Sequence, residues 1–480
     1  MKGGPLHLLL MGSAAELTGP KTKTVFLEDL PPEEIAKVQE PSGLENLGNT
    51  CYMNSVVQCL RAVPQLRRGL DWYHPRVNSA QANFLVKLQD TYRQLDRTAN
   101  AIAPSSLVRA TKLAFPQFAQ TGPNGAPLQQ DAEEFFSGLM TIAAAEMNQH
   151  SHMHPALPDA SESELGGASN LSDALFGLKM EETLTCDEFD DKGASGDDKM
   201  QVEASTGPIE PPVKSYDLLR KLVCNIQGGP GSGQINVGHL AEGINLSLNG
   251  SIEKHSDVLG RDAVWTRKQR IARLPPIICV QFGRFYWKAT PESSDHAGVK
   301  CKVMKPVTFN SILDVYDFCT EDVQKELKKS RDKALQEEED RISRKLKGED
   351  AEDKMNTEKS GDDEEDSALQ AALAMSMQSE DEAPKPVGPG LPPNFQGQYE
   401  LFAVVTHKGR DADGGHYMAW VKASRNSGKV EKIVDSEEDN EDWFVFDDDE
   451  VSPCKTEDVL KLKGGGDWHM SYLNFYRAKK

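Results

Sequence analysis

Gly43-Leu44-Glu45-Asn46-Leu47-Gly48-Asn49-Thr50-Cys51-Tyr52-Met53-Asn54-Ser55 is the stretch on which the reading of this chain turns. Glycine and polar residues run as far as Cys51, and a helical pattern of apolar positions (Val56, Val57, Cys59, Leu60, Val63) begins immediately after it. Such a junction sets a thiol at a helix N-terminus, where the positive end of the peptide dipole favours a nucleophilic sulfur. Thr50 or Asn49 can cap that helix. Gly43 and Gly48 allow close backbone approach, and the Asn46 carboxamide is placed to donate to an oxyanion near the sulfur.

A cysteine nucleophile needs an imidazole and a carboxylate or amide to orient it. Of the 11 histidines, two flank a predicted hairpin: 401–407 reads as a strand, 409–415 as a turn and 416–421 as the returning strand. His416 then opens a strand behind Gly414-Gly415, where bare backbone can shape a narrow channel. His407, across the hairpin, can instead be a structural hydrogen-bonding residue. A further strand, 443–446, ends in Asp447-Asp448-Asp449. If it pairs with the His416 strand, Asp447 reaches the imidazole, with Asp448 as the alternative carboxylate.

Composition narrows the rest. The 480 residues carry a net charge of -21, which disfavours sequence-independent binding to phosphate backbones and favours a basic protein partner. No run reaches the ~18 apolar residues of a membrane span, and the apolar run 6–11 is too short for a signal segment. Eight cysteines without a C-x-x-C pair argue against a stapled secreted scaffold and a four-cysteine zinc site. No metal or cofactor is expected, and the compartment is predicted to be reducing: cytoplasmic or nuclear.

Between 321 and 383 there are 21 acidic and 11 basic residues and no aromatic one. The first part, 321–347, mixes both signs and fits an exposed helix. Residues 350–366 lack the apolar content to offset ordering entropy and are predicted to be disordered. The strands on either side need each other to make a sheet, so this segment interrupts a domain.

The Cys51 and His416 stretches, in that order, resemble the Cys and His boxes of the ubiquitin-specific protease family of cysteine deubiquitinases, and most closely its proteasome-associated branch. A third element, Leu128-Gln129-Gln130-Asp131-Ala132-Glu133-Glu134-Phe135, opens a helix predicted from 130 to 147. The resemblance implies an α+β, papain-like cysteine peptidase with thumb, palm and β-rich fingers, interrupted by an acidic, partly disordered insertion. On it, Cys51 is the nucleophile, His416 the general base, Asp447 its orienting partner and Asn46 the oxyanion donor. Asp131 would contact the basic tail of ubiquitin, with Gln130, Phe285, Tyr286, Gly415 and Tyr417 as further substrate contacts. Surface loops at 284–288 and 409–415 would cover the cleft and keep activity low until a partner or ubiquitin moves them.

The expected organisation is a remnant of an N-terminal ubiquitin-like domain at 1–14, a linker at 15–40, the catalytic domain's first part at 41–320, a charged insertion at 321–390 and the second catalytic part at 391–480. Within the insertion, 364–380 resembles a ubiquitin-interacting motif, with Leu369, Ala372, Leu373 and Ser376 on one helical face. Ubiquitin and ubiquitinated proteins are the implied partners. The proteasome regulatory particle is a further one, and its docking depends on the ubiquitin-like domain. Rival readings are a protease for another ubiquitin-like modifier and a non-catalytic ubiquitin-binding adaptor. Cys51, His416 and Asp447 together argue against the adaptor.

Overall fold

The computed structural model describes residues 41–148, 156–158, 168–188, 210–227, 236–288, 299–346, 384–410, 414–423, 442–466 and 468–479. The expected ubiquitin-like remnant, the linker at 15–40 and the motif at 364–380 lie outside the described residues.

The chain opens on helices. α1 (Cys51–Arg61) is buried from Cys51 to Leu60, so it shows no polar face to solvent. Two of its enclosed polar side chains have backbone acceptors, as buried donors usually do: Ser55 donates to the Tyr52 carbonyl and Gln58 to that of Ser42. α2 (Pro64–Asp71), α3 (Ala80–Leu95), α4 (Ser105–Ala114) and α5 (Ala132–Glu146) complete the thumb. Tyr52, Phe84, Phe115, Phe118 and Phe135 form a ring cluster at its centre, with centroids 5.3 to 6.4 Å apart. Each such ring contributes roughly 1.5–3 kcal/mol by leaving water, so α1 is held from behind.

A short helix, α6 (Leu171–Phe176), leads into β1 (Leu178–Cys186) and β2 (Val213–Leu219). These join β4 (Asn249–Ser256) and β5 (Arg261–Arg273) in a four-stranded antiparallel fingers sheet of order β2-β1-β5-β4. β3 (Leu222–Cys224) and α7 (Leu240–Leu248) return the chain to the palm.

The palm is an eight-stranded sheet. Its path runs β13 (Glu450–Lys455), β12 (Asp442–Asp447), β11 (His416–Lys422), β10 (Gln398–Lys408), β14 (Met470–Ala478), β6 (Ile277–Phe282), β3, with β9 (Ile312–Asp314) also on β10. Strands from before and after the charged segment are therefore neighbours. β10 is apolar without alternation because both faces are covered: Phe402 and Val405 meet the thumb core, while Leu401 and Val404 meet the core on the other side.

Two expectations need correction. The exposed helix at 321–347 is α8 (Glu321–Leu346), but Val323, Leu327 and Ser330 are buried, so its first turns belong to the catalytic core. Charge averaged over a window hides two apolar anchors. The segment 284–288 is not simply a surface loop either. β7 (Phe285–Lys288) and β8 (Val299–Lys302) form their own hairpin. Arg284 at its root is fully buried and donates to the carbonyls of Ser471, Val303, Lys305 and Lys463. A final short helix, α9 (Thr456–Leu460), follows β13.

Candidate active site

Cys51 is the first residue of α1 and is 2% exposed. Neither expected side-chain cap forms. Gly48 and Asn49 take left-handed backbone, with φ of 97° and 55°, which turns the neighbouring side chains back on the loop. Thr50 Oγ1 accepts the Leu47 N–H at 3.0 Å, and Asn49 donates to the Pro127 carbonyl at 2.8 Å. The helix N-terminus is therefore capped by no side chain.

β11 begins at His416, and its antiparallel pairing with β12 sets Ala419 opposite Phe446. The Ala423 N–H donates to the Asp442 carbonyl at 2.8 Å and so extends the pairing of these two strands. His416 Nε2 lies 2.5 Å from Asp447 Oδ1 and 4.0 Å from Asp448 Oδ2. The Cys51 sulfur also accepts a hydrogen bond from the imidazolium. That bond pushes His416 up to about 9, burial opposes the rise, and the Asp447 hydrogen bond adds to it. A thiol and a carboxylate thus hold one imidazole between them, an arrangement that passes protons from sulfur to leaving group.

Gly415 makes the approach to His416 possible. Its φ is 107°, and a Cβ there would sit 2.3 Å from the Lys408 carbonyl and 2.7 Å from the His407 ring. His407 itself is structural: Nε2 donates to the Gly414 carbonyl at 3.0 Å, Nδ1 accepts from Lys302, and burial with that neighbouring cation lowers it to about 3.

Asp448 and Asp449 form the two-residue turn between β12 and β13, and the φ of 53° at Asp448 suits such turns. Asp448 does not hold the imidazole as Asp447 does. Instead it accepts from Asn46 Nδ2 at 2.9 Å and Asn54 Nδ2 at 2.8 Å. Asn46 Oδ1 in turn takes the N–H groups of Gly48 and Thr50 at 3.0 and 3.2 Å. The expected oxyanion donor is therefore anchored next to Cys51 with one amide hydrogen given to a carboxylate.

Asp131 caps α5 by accepting from the Glu133 N–H, and Tyr472 donates to the same oxygen at 2.7 Å. Burial raises its carboxyl above the usual range, against the pull of those two bonds and of Lys300. The Tyr417 hydroxyl accepts the Ala132 N–H. Phe285 meets Tyr472 at 5.1 Å and His407 at 5.3 Å, and Tyr417 meets His407 at 4.6 Å, so an aromatic wall runs from Tyr472, which holds Asp131, to Tyr417, the residue after His416. Tyr286 lies on β7 opposite Cys301.

Gln130 turns away from the sulfur, bonding the Leu128 carbonyl at 3.5 Å. The glutamine at the sulfur is its neighbour: Gln129 Nε2 is 3.3 Å from Cys51 Sγ. Gln129, Asn54 and Tyr472 are the site residues that sequence reading missed. Among the described residues the one cluster able to gather a metal ion is His416, Asp447 and Asp448, within 4.8 Å, and its imidazole Nε2 is already engaged by Asp447.

The arrangement has known counterparts. The family profile described as ubiquitin carboxyl-terminal hydrolase matches residues 42–476. Ubiquitin carboxyl-terminal hydrolase 6 of Arabidopsis thaliana is 34% identical over 98% of this chain and 85% of its own length. The protein named ubiquitin carboxyl-terminal hydrolase 6 in Schizosaccharomyces pombe is 31% identical over 98% and 85%. Ubiquitin carboxyl-terminal hydrolase 14 of Caenorhabditis elegans is 28% identical over 99% and 81%. Among solved structures, the SAGA Ubp8/Sgf11/Sus1/Sgf73 module bound to ubiquitin aldehyde shares the fold at a TM-score of 0.53 and 18% identity, covering 95% of this chain and 73% of that one. With its papain-like α+β fold and a thiol, an imidazole and a carboxylate in hydrogen-bonded series, the chain belongs to the ubiquitin carboxyl-terminal hydrolase family of cysteine-type deubiquitinases.

Proposed function

We propose that the chain hydrolyses the isopeptide bond after the C-terminal glycine of ubiquitin, on conjugates held at the proteasome. The observation that carries the chemistry is the imidazole of His416 bonded on one side to Cys51 and on the other to Asp447. Sγ attacks the glycine carbonyl carbon, and the carbonyl electron pair moves to oxygen. As the C–N bond breaks, His416 gives its proton to the leaving lysine amine. The thioester is then cleaved by water, whose proton His416 takes.

Asp131, at the far end of the aromatic wall, suits the basic residues of the ubiquitin tail. Gly415, Tyr417, Phe285, Tyr286 and Gln130 are the proposed further contacts. The likeness to the proteasome-associated branch supports proteasomes as the site of action and a cytoplasmic, also nuclear, location. Leu369, Ala372, Leu373 and Ser376 are proposed to bind a second ubiquitin, and Leu373→Asp in the full chain would then weaken polyubiquitin capture without slowing cleavage of a monoubiquitin substrate.

The test is reaction with a ubiquitin carrying a C-terminal electrophile. A wild-type adduct that Cys51→Ala abolishes is expected. No adduct, even with proteasomes added, would remove the reading and favour an adaptor. Faster reaction with the same electrophile on another ubiquitin-like modifier would reassign the substrate.

A further inference from the structure

We infer that Gln129 is a catalytic residue of this site. Its side-chain N–H, directed at Cys51 Sγ in the resting enzyme, passes to the oxyanion when the sulfur bonds the substrate carbonyl.

The geometry gives Gln129 the position and Asn46 a prior engagement. Gln129 Nε2 stands 3.3 Å from Sγ. An oxygen on the carbon that Sγ attacks lies two bonds from that sulfur, so a donor already at the sulfur needs only a small rotation to meet it. Asn46 was the expected donor, but its Nδ2 is bonded to Asp448, and its Oδ1 is held by the Gly48 and Thr50 N–H groups. One hydrogen of Asn46 remains for an oxyanion, and a single donor leaves a developing negative charge short of partners.

The segment carrying Gln129 is fixed on both sides. Upstream, the Pro127 carbonyl accepts from Asn49 of the nucleophile loop at 2.8 Å, and the Leu128 N–H donates to the Gln120 carbonyl at 3.2 Å. Downstream, Asp131 caps α5 and accepts the Tyr472 hydroxyl. A single residue, Gln130, separates the amide at the sulfur from the carboxylate proposed to take the substrate's basic tail. Binding of the tail and stabilisation of the reacting carbonyl are thereby built on one short piece of backbone.

The step conserves its protons. Sγ donates the electron pair of the new C–S bond, the carbonyl pair moves to oxygen, and Gln129 donates a hydrogen bond without losing its hydrogen. When the C–N bond breaks, the oxygen's pair re-forms the carbonyl and His416 protonates the amine.

This assignment rests on Cys51 attacking ubiquitin's C-terminal carbonyl, and the test separates the two. Full-length wild type, Gln129→Ala, Gln129→Glu (which keeps the length and loses the donor) and Cys51→Ala are compared on ubiquitin with a C-terminal fluorogenic amide. Both Gln129 variants are expected to lose about 10²-fold in kcat, the scale of one oxyanion donor, with KM within about twofold. Inhibition by ubiquitin aldehyde, which forms a tetrahedral adduct, weakens in proportion. Alkylation of Cys51 by iodoacetamide, which develops no oxyanion, stays within about threefold. Wild-type kcat in both variants overturns the assignment, as does a loss of alkylation equal to the loss of kcat. A wild-type chain that forms no Cys51-dependent adduct removes the nucleophile reading and this inference with it.

Discussion

The carboxamide of Asn54 donates to Asp448 Oδ1 at 2.8 Å, joining the nucleophile helix to a turn 394 positions later. Around that bond the two halves of the site are stitched together. Asn46 reaches the other carboxylate oxygen, and the Leu44 N–H donates to the Asp448 carbonyl at 2.8 Å. Gly43 permits the contact: a Cβ there would lie 2.5 Å from the Asp449 carbonyl oxygen and 2.7 Å from that of Asp448. The distance between Cys51 and His416 is thus set by a seam of polar contacts one residue beyond Asp447.

Asp448→Ala tests the seam. It takes the acceptor from the exposed Asn46 amide and one of three acceptors from the buried Asn54 amide, which keeps the Leu44 and Glu45 carbonyls, at about 0.5–1.5 kcal/mol for each hydrogen bond lost. The expected result is a lower melting temperature and a turnover at least tenfold down, since Asn46 and the turn both lose their anchor. A variant that melts with the wild type and turns over within twofold of it would show the seam to be idle.

What the sequence showed of this site follows from how local each feature is. Cys51 was legible because glycines, polar residues and a helical pattern meet within 13 positions, and His416 because a hairpin signal surrounds it. Asp447 needed only the assumption that neighbouring strands pair. Tyr472 on Asp131 and Asn54 on Asp448 were not legible. Those bonds cross 341 and 394 positions and depend on side-chain direction rather than on any period. The two amides of Gln129-Gln130 looked alike in sequence, and only the start of α5 at Ala132 decides which one faces the sulfur. Val323 and Leu327 were lost in a charged window because two anchors suffice to dock a helix turn.

The proton on His416 gives a pH prediction with a definite sign. The imidazole is held protonated up to about 9, against an ordinary value near ~6.5. Its bonds to Cys51 and Asp447 therefore stabilise the fold fully below about 6.5, and that contribution is lost as pH rises through about 9. The alkaline limb of kcat/KM is expected near 9 for the same reason. In Asp447→Ala the limb moves down and turnover falls about 10²-fold. A pH–rate profile measures both, and a wild-type limb near 7 would contradict the arrangement.

Asp131→Asn separates tail binding from chemistry. The amide keeps the size and can still accept from Tyr472, so α5 stays capped. The charge offered to a basic tail is gone, however, and a hydrogen bond to a charged group is worth about 1.5–3 kcal/mol. KM for a ubiquitin substrate is expected to rise by about tenfold or more with kcat little changed. A variant whose kcat falls while KM stays put would make Asp131 a part of the reacting centre instead.

Lys302 supplies the test of the covered cleft. From β8 its Nζ is 2.5 Å from His407 Nδ1, 3.1 Å from the His407 carbonyl and 2.7 Å from the Gly409 carbonyl. It thereby pins the β7–β8 hairpin to the turn that precedes His416. Phe285, in the same hairpin, packs edge-on against Tyr472, the residue that holds Asp131. Burial, with Arg284 nearby, lowers the Lys302 amine to about 7. The contact therefore costs desolvation and is kept by its three acceptors. Lys302→Met preserves the packed stem and removes all three bonds. At about 0.5–1.5 kcal/mol each, their loss shifts a closed cleft towards an open one by roughly tenfold or more. Basal kcat/KM on a ubiquitin fluorogenic amide should rise accordingly, and cleavage by an added protease near Gly414 should quicken. If the variant is slower than wild type with an unchanged melting temperature, the hairpin and the turn are not a cover, and their ordered contact is part of the working site.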